Sequence, residues 1–221
     1  MSKIARYDGF AEWYDEHLTD FARRGTAPLI ELLGAGPGYC LEVGCGGGVH
    51  LPAIAAAGWS VVGLDISRDQ LRVAQGRAGV PSRLVLADAA RVPFASQAFH
   101  AVVTAFIHTD VDDWLAVVSE AARVLRPAGR LVYVGTHPCF VGPFSQYPGA
   151  ESPMLHPGYR ESEWRTEGPG IGDGLRSRVG VRHVPLAMLL NAFREAGLRL
   201  ERVEEPGPED YPKLLAIVGR R

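Results

Sequence analysis

The chain has 221 residues, a formal net charge of −2 at pH 7, 47% hydrophobic residues and 22% charged residues. This length fits one α/β domain, and the composition is that of an ordinary globular protein rather than a disordered or fibrous one. The nearly balanced charge argues against a nucleic-acid partner, and no apolar run is long enough to cross a bilayer.

The three cysteines are Cys40, Cys45 and Cys139. They are odd in number and lack paired metal-site spacing, and no secretory signal opens the chain, so we expect a cytoplasmic protein. The tripeptide His137-Pro138-Cys139 has no second ligand pair at zinc spacing, and we therefore expect no metal site.

Two helices are predicted before the first strand. Aromatic and apolar residues recur at helical spacing over residues 10–23, and a second short helix is expected over residues 26–33. The glycine- and proline-rich linker 34–38 ends that helix and leads into the strand that follows.

The stretch from Tyr39 to Asp65 predicts a strand, a glycine loop, a helix and a second strand. An apolar run ends in the loop glycines, which let the backbone approach a ligand closely, and the next helix turns its free N–H groups toward the same place. Asp65 ends the second strand about 20 residues past the loop, where a carboxylate can accept hydrogen bonds from both hydroxyls of a ribose.

Strands and helices continue to alternate as far as residue 136. This alternation predicts a doubly wound α/β fold with a parallel sheet and right-handed crossovers, whose ligands bind outside the carboxyl ends of the strands. One predicted helix runs from the N-cap Ser67 to about Ala78, with Gln70 at the capping-box position and Gly79 as its stop. The other predicted elements of this region are the strands 82–87, 99–105 and 131–134 and a helix 111–125.

Residues 136–182 show little periodicity and are rich in proline, glycine and aromatic residues. Because disordered segments are poor in aromatic residues, we interpret this segment as a lid that closes over an acceptor pocket. A helix over residues 185–196 and two strands, 198–203 and 214–218, complete the chain. We see no repeat and no second domain, so residues 1–221 are predicted to form one domain.

The spacing of the glycine loop carries a family resemblance. The dinucleotide fingerprint Gly-x-Gly-x-x-Gly fails because its third position is Val49, whereas the pattern acid-x-Gly-x-Gly-x-Gly is met by Glu42, Gly44, Gly46 and Gly48. In this the sequence resembles the class I S-adenosylmethionine-dependent methyltransferases. The resemblance implies a Rossmann-like sheet of seven strands that ends in an antiparallel hairpin, with residues 1–36 as a helical cover.

The resemblance also implies how S-adenosyl-L-methionine is held, with S-adenosyl-L-homocysteine as product. Glu42 would brace the loop near the amino group of the cofactor, Asp65 would hold the ribose, and Asp88 would accept the adenine amine while the next backbone N–H meets a ring nitrogen. A tyrosine of the cover, Tyr14 or Tyr7, would reach the cofactor. The predicted cofactor-binding set is Tyr14, Glu42, Gly44, Gly46, Gly48, Asp65, Ile66, Gln70, Asp88, Ala89 and Ala105.

The donor is already activated, so the protein has to align the acceptor and remove a proton from its O, N or activated C atom. Histidine is the most useful proton acceptor near pH 7, and His108, His137 and His183 follow or precede elements at the ligand end. Each also has a merely structural interpretation. Asp110 is expected to cap the next helix, with orientation of His108 as the alternative.

A small-molecule acceptor, aromatic or heteroaromatic in view of the lid, is the default. The Asp/Asn-Pro-Pro-Tyr motif of many nucleic-acid and protein amine methylators is replaced by Thr104-Ala105-Phe106-Ile107. With only Lys3 and Lys213, the chain has no phosphate-binding Gly-Lys-Ser/Thr loop and no Tyr-x-x-x-Lys relay. A non-catalytic cofactor sensor and a Rossmann oxidoreductase remain as alternatives, and a homodimer is an open expectation.

Overall fold

The computed structural model describes residues 5–77, 79, 83–149 and 152–221. Within this part of the chain the helices are α1 (Ala11–Arg23), α2 (Thr26–Leu33), α3 (Leu51–Ala56), α4 (Arg68–Gly76), α5 (Trp114–Val124), α6 (Leu175–Val179) and α7 (Leu186–Glu195). The strands are β1 (Tyr39–Val43), β2 (Ser60–Asp65), β3 (Leu84–Leu86), β4 (Phe99–Ala105), β5 (Leu125–Thr136), β6 (Ser145–Gln146), β7 (Met154–Leu155), β8 (Trp164–Arg165), β9 (Val181–Arg182), β10 (Arg199–Glu204) and β11 (Leu214–Arg220).

Seven strands form one sheet in the order β10-β11-β5-β4-β1-β2-β3. The neighbours from β5 to β3 are parallel, while β11 runs antiparallel to both β5 and β10. The predicted doubly wound sheet with an antiparallel C-terminal hairpin is therefore confirmed. The order reverses between β1 and β4, and this is where a ligand crevice opens in such sheets.

Helices cover both faces of the sheet, which explains why its central strands are apolar almost throughout. On one face the core contains Trp114 and Val118 of α5 and Phe193 of α7. On the other face Leu29 and Leu33 of α2 pack beside residues of α3 and α4. The carboxyl ends of the parallel strands are thereby held in fixed positions.

The start of α5 differs from the prediction. The helix begins at Trp114 rather than at residue 111, because Asp113 is its N-cap and accepts a hydrogen bond from Ala116 N at 3.0 Å. The expectation that Asp110 caps this helix was wrong. Its end also differs, since β5 begins directly at Leu125 and includes the residues that were predicted to separate helix from strand.

The Ser67 prediction for α4 is confirmed, because the Ser67 hydroxyl accepts a hydrogen bond from Gln70 N at 3.1 Å. The helix ends at Gly76, and the predicted end at Ala78 lies outside the described residues. Strand β3 covers Leu84–Leu86, and the predicted start at Ser82 also lies outside them.

Polar contacts attach the N-terminal segment to α4. The Ser67 hydroxyl donates to Asp8 at 2.6 Å, Gly9 N donates to Asp69 at 2.8 Å, and Arg72 pairs with Glu12 at 2.6 Å. These contacts place α1 above the carboxyl ends of the strands. Within the described residues, no helix combines the length and the apolar character needed to cross a membrane.

Candidate active site

A cavity of about 680 Å³ opens at the carboxyl ends of β1, β2 and β4 and beneath α1. Volumes of this size are typical of sites for small molecules and cofactors. Most of the predicted cofactor-binding residues line it, namely Tyr14, Gly44, Gly46, Asp65, Ile66, Gln70, Asp88, Ala89 and Ala105. Glu42 and Gly48 are not part of the lining.

The glycine loop has a backbone that other residues adopt only with strain. Gly44, Gly46 and Gly48 have φ values of 72°, 50° and 75°, in the left-handed region that favours glycine. A Cβ atom on Gly44 would also lie 2.2 Å from Cγ2 of Ile107. The loop therefore needs glycine at Gly44 both for its conformation and for its close approach to the chain that follows β4.

Asp65 is fixed at the edge of the cavity by backbone donors. Its carboxylate accepts hydrogen bonds from Gly46 N and from Ser67 N, each at 2.8 Å. Burial raises the pKa of Asp65, and these backbone hydrogen bonds oppose that rise by stabilising the carboxylate. The acid is thus oriented by the glycine loop on one side and by the start of α4 on the other.

Glu42 lies beneath the loop and is fully buried. Both of its carboxylate oxygens lack a hydrogen-bond partner within the described residues, which is unusual for a buried acid. Burial, together with the nearby Asp65, raises the pKa of Glu42 well above its ordinary value. An unpartnered acid in this position suits a cationic group, and an amino group of the implied cofactor fits that requirement.

The far end of the cavity lies beyond β3. The Asp88 carboxylate accepts a hydrogen bond from Ala90 N at 2.9 Å, which holds the turn in place. Ala89, Val111 and Val117 add apolar surface around this acid. An acid beside an apolar slot is a suitable site for a flat heterocycle that carries an amino group.

Two tyrosines of the N-terminal segment form the roof. Both Tyr7 and Tyr14 line the cavity, and their rings meet edge to face with centroids 5.4 Å apart. Burial raises the pKa of Tyr14 to about 12 and raises the pKa of Tyr7 well above its ordinary value. Both hydroxyls therefore remain protonated at neutral pH, and both predicted tyrosine candidates reach the cavity.

Asp110, rather than capping a helix, joins three parts of the chain. Tyr7 donates to Asp110 at 2.7 Å, and Arg176 of α6 pairs with both oxygens of the same carboxylate. Nearby, Arg6 donates to Asp112 at 2.7 Å and lies 3.7 Å from the ring centre of Trp164. The N-terminal segment, the turn after β4 and the 136–182 segment therefore meet at one corner of the cavity.

The three predicted catalytic histidines lie outside the cavity lining. His108 points into the core, where its Nδ1 is 3.1 Å from the Tyr133 hydroxyl, because Phe106 and Ile107 occupy the positions that face the cavity. His137 pairs through Nε2 with Glu205 at 2.8 Å.

His183 is buried against two aromatic rings, and its Nε2 has no hydrogen-bond partner in the described structure. Burial lowers the pKa of His108 to about 3 and that of His183 to about 4. Neither imidazole is charged at neutral pH.

The histidine that does line the cavity is His50, which sequence reasoning missed. Its Nδ1 lies 2.9 Å from the Thr26 hydroxyl, and Nε2 makes no hydrogen bond within the described residues. Burial lowers the pKa of His50 to about 4, so the ring is neutral at pH 7. Its place two residues past Gly48, just before α3, was the available signal.

Aromatic side chains surround this end of the cavity. Phe106 lines it with a φ of 60°, which is uncommon for a residue other than glycine, and its ring lies 5.2 Å from that of Phe21 and 6.4 Å from that of His50. A Cβ atom on Gly25 would lie 2.7 Å from the Phe106 ring. Aromatic side chains therefore form one wall of the cavity at this end.

No residue of the described part of the 136–182 segment lines the cavity. The segment contains the short strands β6 to β9 and α6, and its aromatic residues pack largely on one another, as Phe144 does on Tyr159 with ring centres 5.5 Å apart. Its contact with the site runs through Arg176 and Trp164. That it acts as a lid stays a prediction.

Comparisons with known proteins agree with this geometry. The family model of a methyltransferase domain matches residues 40–129, from β1 to the early part of β5. Over these residues the chain is therefore similar to a methyltransferase domain. The matched region contains the glycine loop, Asp65 and Asp88, which form most of the cavity floor.

Curated relatives match over a similar part of the chain. A demethylmenaquinone methyltransferase from Renibacterium salmoninarum is 36% identical over 124 residues, which are 55% of this chain and 52% of that protein. Methyltransferase GfsG from Streptomyces halstedii is 38% identical over 123 residues, which are 52% of this chain and 44% of that protein. The chain thus matches about half the length of these relatives.

A solved structure extends the likeness to the whole fold. The S-adenosylmethionine-dependent methyltransferase from Mesorhizobium loti superimposes with a TM-score of 0.71 and covers 97% of this chain and 99% of its own. Its sequence identity is 22%, so this likeness concerns the fold.

Proposed function

We propose that this protein transfers a methyl group from S-adenosyl-L-methionine to a small molecule. The observation that carries the proposal is the grouping of a strained glycine loop and the oriented acids Asp65 and Asp88 around one cavity, with the unpartnered acid Glu42 buried beneath the loop. The loop carries no lysine or arginine, which suits a ligand without a pyrophosphate.

Each of these residues has a distinct part in binding. Glu42 would hold the amino group, Asp65 the ribose hydroxyls, and Asp88 with the backbone at Ala89 the adenine ring. When bound, the sulfonium supplies an activated methyl group. The tyrosines of the roof then exclude water above it, which favours transfer to an acceptor held nearby.

We assign the acceptor to the end of the cavity at Phe106 and His50. Flat apolar side chains there support an aromatic or heteroaromatic acceptor, because ring faces pack well on one another. The demethylmenaquinone methyltransferases among the relatives are named for a substrate that serves as a first compound to try. Analysis of the methylated product identifies whether O, N or C accepts the methyl group.

His50 is the residue we propose to take the proton of the acceptor. It is neutral at pH 7, and its ring contacts Thr26. It lines the cavity, whereas His108, His137 and His183 lie outside the lining. His50→Gln should lower kcat at least about tenfold and leave binding of S-adenosylhomocysteine near wild type. His108→Gln is the matched control, and a larger loss of kcat in that control would return the role to His108.

Calorimetric titration followed by transfer assays tests the function as a whole. We expect one molecule of S-adenosylmethionine or S-adenosylhomocysteine to bind per chain, and turnover on at least one aromatic acceptor of a panel that includes demethylmenaquinone. Binding without turnover on any acceptor would favour a non-catalytic sensor. NADH binding in preference to either sulfur compound would favour an oxidoreductase.

We also propose that the protein works in the cytoplasm. Cys40 and Cys45 are buried free thiols and Cys139 is a partly exposed one. Free thiols of this kind persist in a reducing compartment.

A further inference from the structure

The outer edge of β10 ends the seven-stranded sheet, and no other strand of the described chain pairs with it. Five of its six residues are exposed, including Leu200 at 38% and Val203 at 49%. An open edge of this length is a template for pairing with another strand. The opposite edge, β3, has only three residues.

The sequence of β10 is complementary to itself when read in the opposite direction. It is Arg-Leu-Glu-Arg-Val-Glu, so two antiparallel copies centred between Glu201 and Arg202 would place Arg199 opposite Glu204, and Leu200 opposite Val203. Glu201 would face Arg202 of the second copy. Every charge then meets its opposite, and the apolar residues meet each other.

The register of the hairpin sorts these side chains onto two faces. Leu200 and Val203 lie opposite Gly219 and Ile217, whereas Arg202 lies opposite Val218. A bulge between Leu200 and Arg202 interrupts the alternation, so Leu200 and Val203 lie on the same face of the sheet.

The charged side chains of β10 therefore lie on the face of the sheet that α2 covers, as the 3.3 Å contact of Arg202 with Glu31 shows. Leu200 and Val203 lie on the face that α7 covers, since Ile217, which is opposite Val203, belongs to the core on that face.

Exchanging the present ion pairs for pairs between two chains has a small energetic cost. Arg199 pairs with Glu201 at 2.8 Å and Arg202 with Glu204 at 2.6 Å. These are exposed pairs between close neighbours on one strand, and pairs of this kind contribute little to stability. Pairing across strands would replace them and would add the backbone hydrogen bonds of a ladder.

We propose that β10 is a dimerisation edge, and that its partner is β10 of a second copy of this chain. The two sheets then join across a two-fold axis into one sheet of fourteen strands. A six-residue strand pair is smaller than the interfaces of stable complexes, which bury roughly 1,200 Å² or more, so the dimer forms in a concentration-dependent equilibrium. This proposal does not rest on the methyltransferase function.

Charge-swap variants test the pairing directly. The acidic variant is Arg199→Glu/Arg202→Glu, and the basic variant is Glu201→Arg/Glu204→Arg. In each variant alone, like charges would face one another across the two-fold axis, which disfavours pairing. In a mixture of the two, every cross-strand pair is again complementary.

Sedimentation velocity at about 10–500 μM protein covers the range in which an interface of this size dissociates. We expect the wild type to dimerise, each variant alone to associate at least about tenfold more weakly, and an equimolar mixture with one labelled variant to form the mixed dimer. The wild-type dimer should also weaken as salt rises, because exposed charges are screened.

The control is Glu12→Arg/Arg72→Glu, which inverts an exposed ion pair between α1 and α4, away from β10. It should leave dimerisation unchanged. A wild type that stays monomeric at the highest concentration would overturn the proposal and would assign the charges of β10 to protection of the edge. A dimer that survives in both variants would overturn it as well.

Discussion

The region from β1 to β5 and the segment 136–182 are built on different principles. In the first, buried parallel strands end at one edge and present the glycine loop, Asp65 and Asp88 to a single cavity. In the second, strands of two residues and an aromatic cluster pack largely on one another, and the segment reaches the site through Arg176 and Trp164. The floor of the cavity is thus formed by residues at neighbouring strand ends, whereas the corner at Asp110 joins segments that are far apart in the chain.

The largest effect is expected from a substitution in the glycine loop of the β1–β5 region. Gly44→Ala places a Cβ atom in a left-handed backbone and 2.2 Å from Ile107. These two effects together should cost about 3 kcal/mol and weaken S-adenosylhomocysteine binding about 100-fold in calorimetric titration. Gly76→Ala, with no atom within 4 Å, is the control and should bind as the wild type does. An affinity for Gly44→Ala within twofold of wild type would contradict the role of the loop.

Breaking the ion pair between Arg176 and Asp110, which connects the two regions, should have the next largest effect. Arg176→Leu leaves the Asp110 carboxylate, with only 16% of its side chain exposed, without its cation. We expect the free energy of unfolding to fall by about 2–3 kcal/mol, less than for a fully buried pair because Arg176 keeps 32% exposure. Chemical denaturation measures this change.

Two further variants check that interpretation. Asp110→Asn/Arg176→Leu should recover part of the loss, because no uncompensated carboxylate remains. Arg165→Leu, which breaks the exposed pair with Glu161, should change stability by less than about 1 kcal/mol. If Arg176→Leu and Arg165→Leu lower the free energy of unfolding equally, the contacts of Asp110 do not hold the two regions together.

Acid pH should destabilise the core beneath the cavity through the buried His108. His108 has a pKa of about 3 in the fold against about 6.5 in the unfolded chain, so below pH 6.5 the unfolded chain takes up the proton first. Its contribution to stability is therefore present above pH 6.5 and is lost as the pH falls toward 3. Between pH 7 and pH 5 the wild type should lose about 1–2 kcal/mol more than His108→Gln in denaturation. Parallel pH profiles of the two proteins would rule this out.

The smallest effect is expected from Asp65, the acid that we propose to hold the ribose. Asp65→Asn keeps the shape of the side chain but removes its charge, and we expect S-adenosylhomocysteine to bind five- to tenfold more weakly, or about 1 kcal/mol. Asp173→Asn, at an exposed position in the other region, should bind with unchanged affinity. If both substitutions leave affinity unchanged, Asp65 does not hold the ligand.

Features that depend on neighbouring residues were predictable from the sequence. The glycine spacing, the acids at strand ends and the Ser67 cap are local patterns, and the alternation of strand and helix determines which strand ends meet. The N-cap of α5 was not predictable in the same way. Asp110 and Asp113 both precede the apolar run, and what separates them is Arg176, which reaches Asp110 from 66 residues further along the chain.

The orientation of the histidines also depends on packing between distant residues. His108 follows β4 as expected, yet Tyr133 and Trp114 hold its ring in the core. His50 looks like an ordinary helix start in the sequence, and its place in the cavity becomes evident only when Thr26 and Phe106 are brought beside it. Proximity in the chain therefore predicted the glycine loop and the acids that line the cavity, but not the histidine that lines it.

A crystal structure of the protein with S-adenosylhomocysteine would show directly whether the cavity holds the cofactor. We expect the ribose hydroxyls within hydrogen-bond distance of Asp65, the adenine amine beside Asp88, and the amino group directed toward Glu42. A ligand bound away from the glycine loop, or an Asp65 carboxylate that makes no contact with the sugar, would contradict the assignment of this cavity as the cofactor site.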